Sequence, residues 1–147
     1  MYQRILVATD DSAVSRQAVE SAIALAAPLR AELVVLHVVP RYPTDFFHGA
    51  VALEPDEIAR VEGQWADKGQ AVTEAAVQAA RAAGVLAHGV VAQSDAIADA
   101  ILAAAKKHRC DLVVMASHGR RGLHRLLLGS ETQHVLTRGE LPVLVLR

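Results

Sequence analysis

Short apolar runs alternate along the chain with longer stretches in which apolar residues recur every three or four positions. The first run, ILVAT (5–9), is rich in β-branched residues and ends in two acids, which predicts a buried strand. Val14, Ala18, Ala22, Leu25 and Ala26 then follow a helical period, with Asp11 or Ser12 as cap. Pro28 lacks the N–H of a continuing turn and is expected to stop that helix. ELVVLHVV (32–39) predicts a second strand, broken by Pro40 and Pro43. The following stretch, 40–56, reads as a loop longer than most connections, hence a cover or a local subdomain. Ile58, Val61, Trp65, Val72, Ala76, Ala79 and Ala83 predict the inner face of a long helix from about Pro55 to Ala83, with Gly84 as its stop. VLAHGVVAQ (85–93) reads as a third strand in which Gly89 marks a bulge or a close approach. Ser94 is expected to cap a helix facing inward through Ile97, Ile101 and Ala104. That helix closes on Lys106, Lys107 and His108, cations at the negative end of its dipole. DLVVMA (111–116) predicts a fourth strand. A helix over about Ser130 to Arg138, ended by Gly139, and a last strand in LPVLVLR (141–147) complete the pattern.

Strands alternating with helices, and apolar on both faces, imply a parallel sheet covered on each side. Right-handed crossovers make it a single-domain, doubly wound α/β fold over 1–147, a length that suits one domain. Ligands of such sheets bind beyond the carboxyl ends of the strands, where the strand order reverses. Three loops are candidates to meet there: ATDDS after the first strand, HVVP after the second and ASHG after the fourth.

Composition narrows the function classes. The chain is 52% hydrophobic and 21% charged, which suits a packed core and excludes disorder. A net charge of −1 lacks the basic footprint of a nucleic-acid binder. Cys110 is the single cysteine, so no internal disulfide framework is possible, and a reducing compartment fits. No apolar run approaches the ~20 residues that span a bilayer. MYQRILVATDDS puts acids straight after a short apolar stretch, unlike a signal peptide. The expectation is a cytoplasmic protein with neither a membrane nor a nucleic acid as partner.

The densest chemical signal is ASHGRRGLHRLLLGSE (116–131). A strand leading through Gly119 to Gly129, Ser130 and a new helix can form an anion site. The helix N-terminus offers unpaired N–H groups and a positive dipole end, and glycine lets backbone approach a ligand. Arg120, Arg121 and Arg125 lie between and could neutralise charge or simply be solvated. An ordinary turn with a capped helix is the alternative. No G-x-x-x-x-G-K-[ST] loop is present. ATDDS stands where a dinucleotide G-x-G-x-x-G would follow the first strand.

ILVATDDS, ELVVLHVV, DLVVMASHGRRGLHRLLLGSETQHVL and PVLVLR, in this order, resemble the universal stress protein family over essentially the whole chain. The resemblance implies a five-stranded sheet of order 3-2-1-4-5, of the adenine nucleotide alpha hydrolase-like type, in a homodimer. The family's ATP-binding branch carries G-x2-G-x9-G-[ST], which falls here on Ala116, Gly119, Gly129 and Ser130 with its spacing intact. Gly122 lies outside it. Ala116 departs from the first glycine; its methyl either crowds a ligand or points into the core. By the same resemblance Asp10 would receive the adenine or ribose region beside Ala8. Val38 would contact the adenine edge and Met115 would pack nearby. Gly119, Gly129, Ser130 and the N–H groups of Glu131 and Thr132 would hold the phosphates. Mg²⁺ would accompany ATP without a dedicated protein cage.

The remaining candidates read as structural. Asp10 and Asp11 could serve as an acid–base or metal-binding pair, but Asp11 as a cap and Asp10 as a ligand contact fit better. Ser117 and His118 invite a hydrolase reading, yet adjacent side chains seldom aim at one another and no G-x-S-x-G elbow exists. His118 is therefore expected to order its loop. His124 and His134 lack the partners of a metal motif. His37 is expected to pack at the end of the second strand, Cys110 to act as a small buried apolar group, and Trp65 to fill the helix's inner face. An apolar last strand at a sheet edge invites a two-fold copy to pair through Val143, Leu144, Val145 and Leu146. Together these give an ATP-binding, homodimeric stress protein that senses nucleotide state. Binding would order 116–132 and the 40–56 loop for an unidentified regulatory partner, with at most slow hydrolysis and no catalytic residue. A nucleotide-free interaction module and an ATPase or phosphotransferase are the alternatives.

Overall fold

The computed structural model describes residues 1–43, 53–119 and 128–147. Residues 44–52 of the 40–56 loop lie outside them, as do Arg120, Arg121, Gly122, His124 and Arg125. β1 (Arg4–Ala8) sits at the centre of a five-stranded sheet. It pairs in parallel with β2 (Glu32–Val39) on one side and β4 (Leu112–Ala116) on the other. β3 (Ala87–Gln93) and β5 (Val143–Leu146) form the edges, giving the order β3-β2-β1-β4-β5. This is the order that the resemblance implied.

Strand alternation sends two sets of side chains into two cores. Ile5, Val7, Leu33, Val35, Leu112 and Val114 pack under α1 (Ala13–Leu29) and α2 (Pro55–Ala82). Leu6, Val34, Leu36, Val113 and Met115 pack under α3 (Ile97–Lys107) and α4 (Ser130–Arg138). The winding changes face after β3, so the strand order reverses between β1 and β4. Among the described residues no helix is long and apolar enough to cross a membrane.

Three helices end in the same turn. After α1, Ala31 N–H bonds Ala26 O at 3.0 Å and Arg30 N–H bonds Ala27 O at 3.2 Å, with Arg30 left-handed at φ 54°. After α2 the pair is Val85 to Ala80 and Gly84 to Arg81, with Gly84 at φ 77°. After α3 it is Cys110 to Ala105 and Arg109 to Lys106, with Arg109 at φ 55°. Each is a Schellman closure, which satisfies the last carbonyls and turns the chain directly into the next strand.

Several local expectations change. Pro28 lies inside α1, in its last turn; the stop is Arg30, two residues on. Ser12, rather than Asp11, caps α1 by accepting Ser15 N–H at 3.2 Å. Ser94 does not cap α3. Its hydroxyl accepts Ala96 N–H in a local turn, and the cap comes from Glu131 on α4, whose carboxylate accepts Ala98 N–H at 2.9 Å. Partial burial and the neighbouring His88, Lys107 and Arg4 push the pKa of His108 below the usual histidine value, which weakens it as a helix-closing cation beside Lys106 and Lys107. The buried seam of α2 is Gly69, Thr73, Val77 and Ala80, while Ala79 and Ala83 face solvent. Small residues line that seam because the helix lies close on β2 and β3. A Cβ on Gly69 would meet His37 Cδ2 at 2.7 Å, and one on Gly89 would meet Thr73 Oγ1 at 2.8 Å. Gly89 keeps regular register opposite Val35, so it marks a close approach and not a bulge.

The two glycines of α2 therefore have opposite roles. A methyl at Gly63 would meet nothing within 4 Å, whereas His37 cannot yield at Gly69 without straining its bond from Nδ1 to Thr9 O at 2.8 Å. In chemical denaturation Gly63→Ala is expected to stabilise by about 0.5–1 kcal/mol through helix propensity. Gly69→Ala is expected to destabilise by about 1–3 kcal/mol through overpacking.

Candidate functional site

The ATDDS turn is built by its own side chains. Ser15 Oγ accepts Asp10 N–H at 3.3 Å, Thr9 Oγ1 accepts Asp11 N–H at 3.2 Å and Asp10 Oδ1 accepts Ser12 N–H at 2.9 Å. Ser15 donates to Ser12 O at 3.0 Å, so Thr9 must donate in the 3.1 Å contact between the two hydroxyls. With these acceptors in place Asp11 can hold φ 65°, a conformation aspartate tolerates better than most residues. From the neighbouring strand, Thr9 N–H bonds Leu36 O at 2.9 Å, and His37 must donate its Nδ1–H to Thr9 O because a carbonyl only accepts. The outcome is an Asp10 carboxylate held rigidly at the mouth of β1.

The second wall comes from β4. Ser117 N–H bonds Leu146 O at 2.6 Å, which extends the sheet by one step, and Gly129 N–H returns to Ser117 O at 2.6 Å. Thr132, 2% exposed, donates its hydroxyl to Ala116 O at 3.0 Å, with Ser117 O at 3.2 Å. This fixes the first turn of α4 against the end of β4. Gly129 is the N-cap residue, with no side-chain cap bond, and the first amides of a helix have no intrahelical acceptor. The glycines are required by contact. A Cβ on Gly119 would lie 2.7 Å from Asp10 Oδ2, and one on Gly129 would lie 3.1 Å from Ser117 O.

The residues singled out in the sequence converge, though not all in one role. Ala8, Val38 and Met115 belong to one apolar cluster on the α3–α4 face. Asp10 and Gly119 meet across the β1–β4 junction, and Gly129, Ser130, Glu131 and Thr132 begin α4 beside them. Ala116 is 8% exposed and alternates onto the opposite face from Met115, the side of Leu112 and Val114. It pairs with Leu146 in regular strand register, so its methyl introduces no backbone strain. Glu131 spends its carboxylate on α3, which keeps that charge engaged with a helix N-terminus.

Ser117 and His118 do bond, Oγ to Nδ1 at 3.0 Å, contrary to the expectation for neighbours. The bond forms because the chain bends at the strand end. Ser117 is 4% exposed, so the pair orders the turn without presenting a nucleophile to solvent. Cys110 is buried and its thiol is pushed up to about 11, mainly by desolvation. Trp65 does not simply fill the core: it stacks on Tyr42, with ring centres 6.1 Å apart. The Glu131 cap and the Thr9–Ser15 pair were invisible in the sequence, since single polar residues in or beside helices carry no periodic signal.

The fold and this junction define a doubly wound α/β protein with polar and glycine residues gathered at its topological switch point. The chain belongs to the universal stress protein family, whose sequence pattern it matches over residues 1–147. It is 32% identical over 149 residues to the universal stress protein YxiE of Bacillus subtilis, covering all of both chains. It is also 32% identical over 154 residues to a universal stress protein of Methanocaldococcus jannaschii, covering all of this chain and 83% of that one. Among solved structures, universal stress protein UspA from Lactobacillus plantarum superposes with a TM-score of 0.83 at 22% identity, covering 99% and 98% of the two chains. A universal stress protein in complex with cAMP gives 0.67 at 25% identity, covering 98% and 95%. One from Archaeoglobus fulgidus in complex with dAMP gives 0.65 at 18%, covering 99% and 98%.

The site's dependence on Thr132 can be measured. Thr132→Val keeps the shape but takes the hydroxyl donor from Ala116 O, while Ser117 O keeps Gly129 N–H, an expected loss of about 1–3 kcal/mol in urea denaturation. Thr132→Ser should recover most of that loss. Equal stability of all three proteins would show that the hydroxyl does not anchor α4.

Proposed function

We propose that this universal stress protein binds an adenine nucleotide, ATP with Mg²⁺, in the crevice between β1 and β4, and signals nucleotide state in the cytoplasm during stress. The supporting observation is the anchoring of α4 by Thr132, which sets the first-turn amides beside the Asp10–Gly119 contact. Main-chain amides and a helix dipole are suited to phosphate oxygens. Ala8, Val38 and Met115 would supply the apolar wall for the base, and Asp10 would accept from ribose or adenine. Glycine at 119 and 129 keeps Cβ atoms out of the cradle. Among the described residues no group of three or more His, Cys, Asp or Glu could hold a metal, so Mg²⁺ would ride on the phosphates. The burial of Ala116 in regular strand register supports a cradle that would tolerate its methyl in place of the first glycine. Adenine nucleotides bound to two of the structural neighbours agree with the reading.

Calorimetric titration of ATP, ADP, AMP and cAMP, with Mg²⁺, tests it. ATP is expected to bind, Asp10→Asn to weaken it about tenfold, roughly one lost hydrogen bond, and Ala116→Gly to leave affinity equal or higher. No heat with any nucleotide, or clear weakening in Ala116→Gly, would refute the assignment.

We also propose a homodimer through β5. Among the described residues this edge strand pairs with β4 alone, and Leu144 on it is 40% exposed. Light scattering is expected to give twice the 15.6 kDa chain mass, and Leu144→Lys to shift the protein to monomer.

A further inference from the structure

At the end of the sheet opposite that junction, two histidines from consecutive elements of the chain lie side by side. His88 is the second residue of β3, and His108 immediately follows α3. Their ring centres lie 5.3 Å apart and their planes are tilted by 54°. With metal–nitrogen bonds of about 2.0–2.1 Å, two imidazoles sharing one tetrahedral ion have ring centres about 5 Å apart. Stacked rings would send their in-plane lone pairs along parallel lines; tilted rings let them converge. We propose that His88 and His108 form a two-ligand site for a divalent transition-metal ion of the zinc and copper class, with water in the remaining positions.

The surroundings hold the pair in place. His108 sits in the Schellman turn that closes α3, bracketed by the Cys110 to Ala105 bond at 2.8 Å. Its carbonyl also accepts Arg4 Nη1–H at 2.8 Å. His88 stands in regular register opposite Val34. Lys107 and Arg4 are the cations that would oppose a metal. The charge of Arg4 is taken up by Glu32, whose Oε2 accepts from Nε at 2.9 Å and lies 2.8 Å from Nη2. Both ligands are imidazoles, which suit zinc, copper and nickel and not magnesium or calcium. Because β3 and α3 bring the two rings together only in the folded chain, the ion would bind the native state and raise its stability by mass action.

The test uses the full chain free of any affinity tag, with thermal melts and calorimetry in ZnCl₂, CuCl₂ and MgCl₂. One zinc or copper ion per chain is expected to bind, copper more tightly, each raising the melting midpoint, while magnesium leaves it unchanged. His88→Gln and His108→Gln are each expected to weaken zinc at least tenfold, since loss of even an outer partner costs about 10–100-fold. His134→Gln should leave zinc affinity as it was. Far-ultraviolet circular dichroism of each variant confirms the fold, which depends on the backbone of His108 and not on its ring. Zinc affinity unchanged in both His88→Gln and His108→Gln, or no zinc binding by the unmodified chain, overturns the proposal.

Discussion

Every inner strand of this sheet is apolar on both sides, and water has to be kept from both. That requirement governs the rest. Helices must cover two faces, so the chain winds across one face through α1 and α2 and across the other through α3 and α4. The change of face puts the loops after β1 and β4 side by side at the point where the strand order reverses, where sheets of this kind take their ligands. The site is thus a geometric consequence of burying the sheet, and the polar residues only furnish it.

How it is furnished follows a common economy of hydrogen bonds. At the mouth of β1 the backbone amides of Asp10, Asp11 and Ser12 are each met by a nearby side chain. At the mouth of β4 the carbonyls of Ala116 and Ser117 are met by Thr132 and Gly129. Buried polar groups at a strand end would otherwise cost stability. Satisfying them also makes the two walls rigid, which lowers the entropic cost of gripping a ligand. Glu131 joins the walls to the second helical layer by capping α3, so the start of α4 is fixed from two directions.

The pattern of apolar residues carried the sequence reading a long way. Each strand and helix was legible from its period, since burial on one or two faces imposes that period directly. The glycine spacing and Asp10 were marked by the resemblance to the family's pattern, and the structure brings Gly119 against Asp10. The errors share a cause. Pro28, the inner face of α2, the Ser94 cap and the Ser117–His118 bond all depend on what a residue meets from elsewhere in the chain. Gly69 on the α2 seam looks unfavourable to any hydrophobic count, yet His37 requires it.

Linear order and residue type alone determined the α/β class, the element sequence and the loops that could bear a ligand, because those follow from local periodicity and backbone chemistry. Packing alone decided which face Ala116 presents, which carboxylate caps α3, and that Asp10 rests against Gly119 or His88 against His108. Contacts between segments as much as a hundred residues apart leave no periodic trace, since each partner is fixed by the shape of the other and not by its own neighbours.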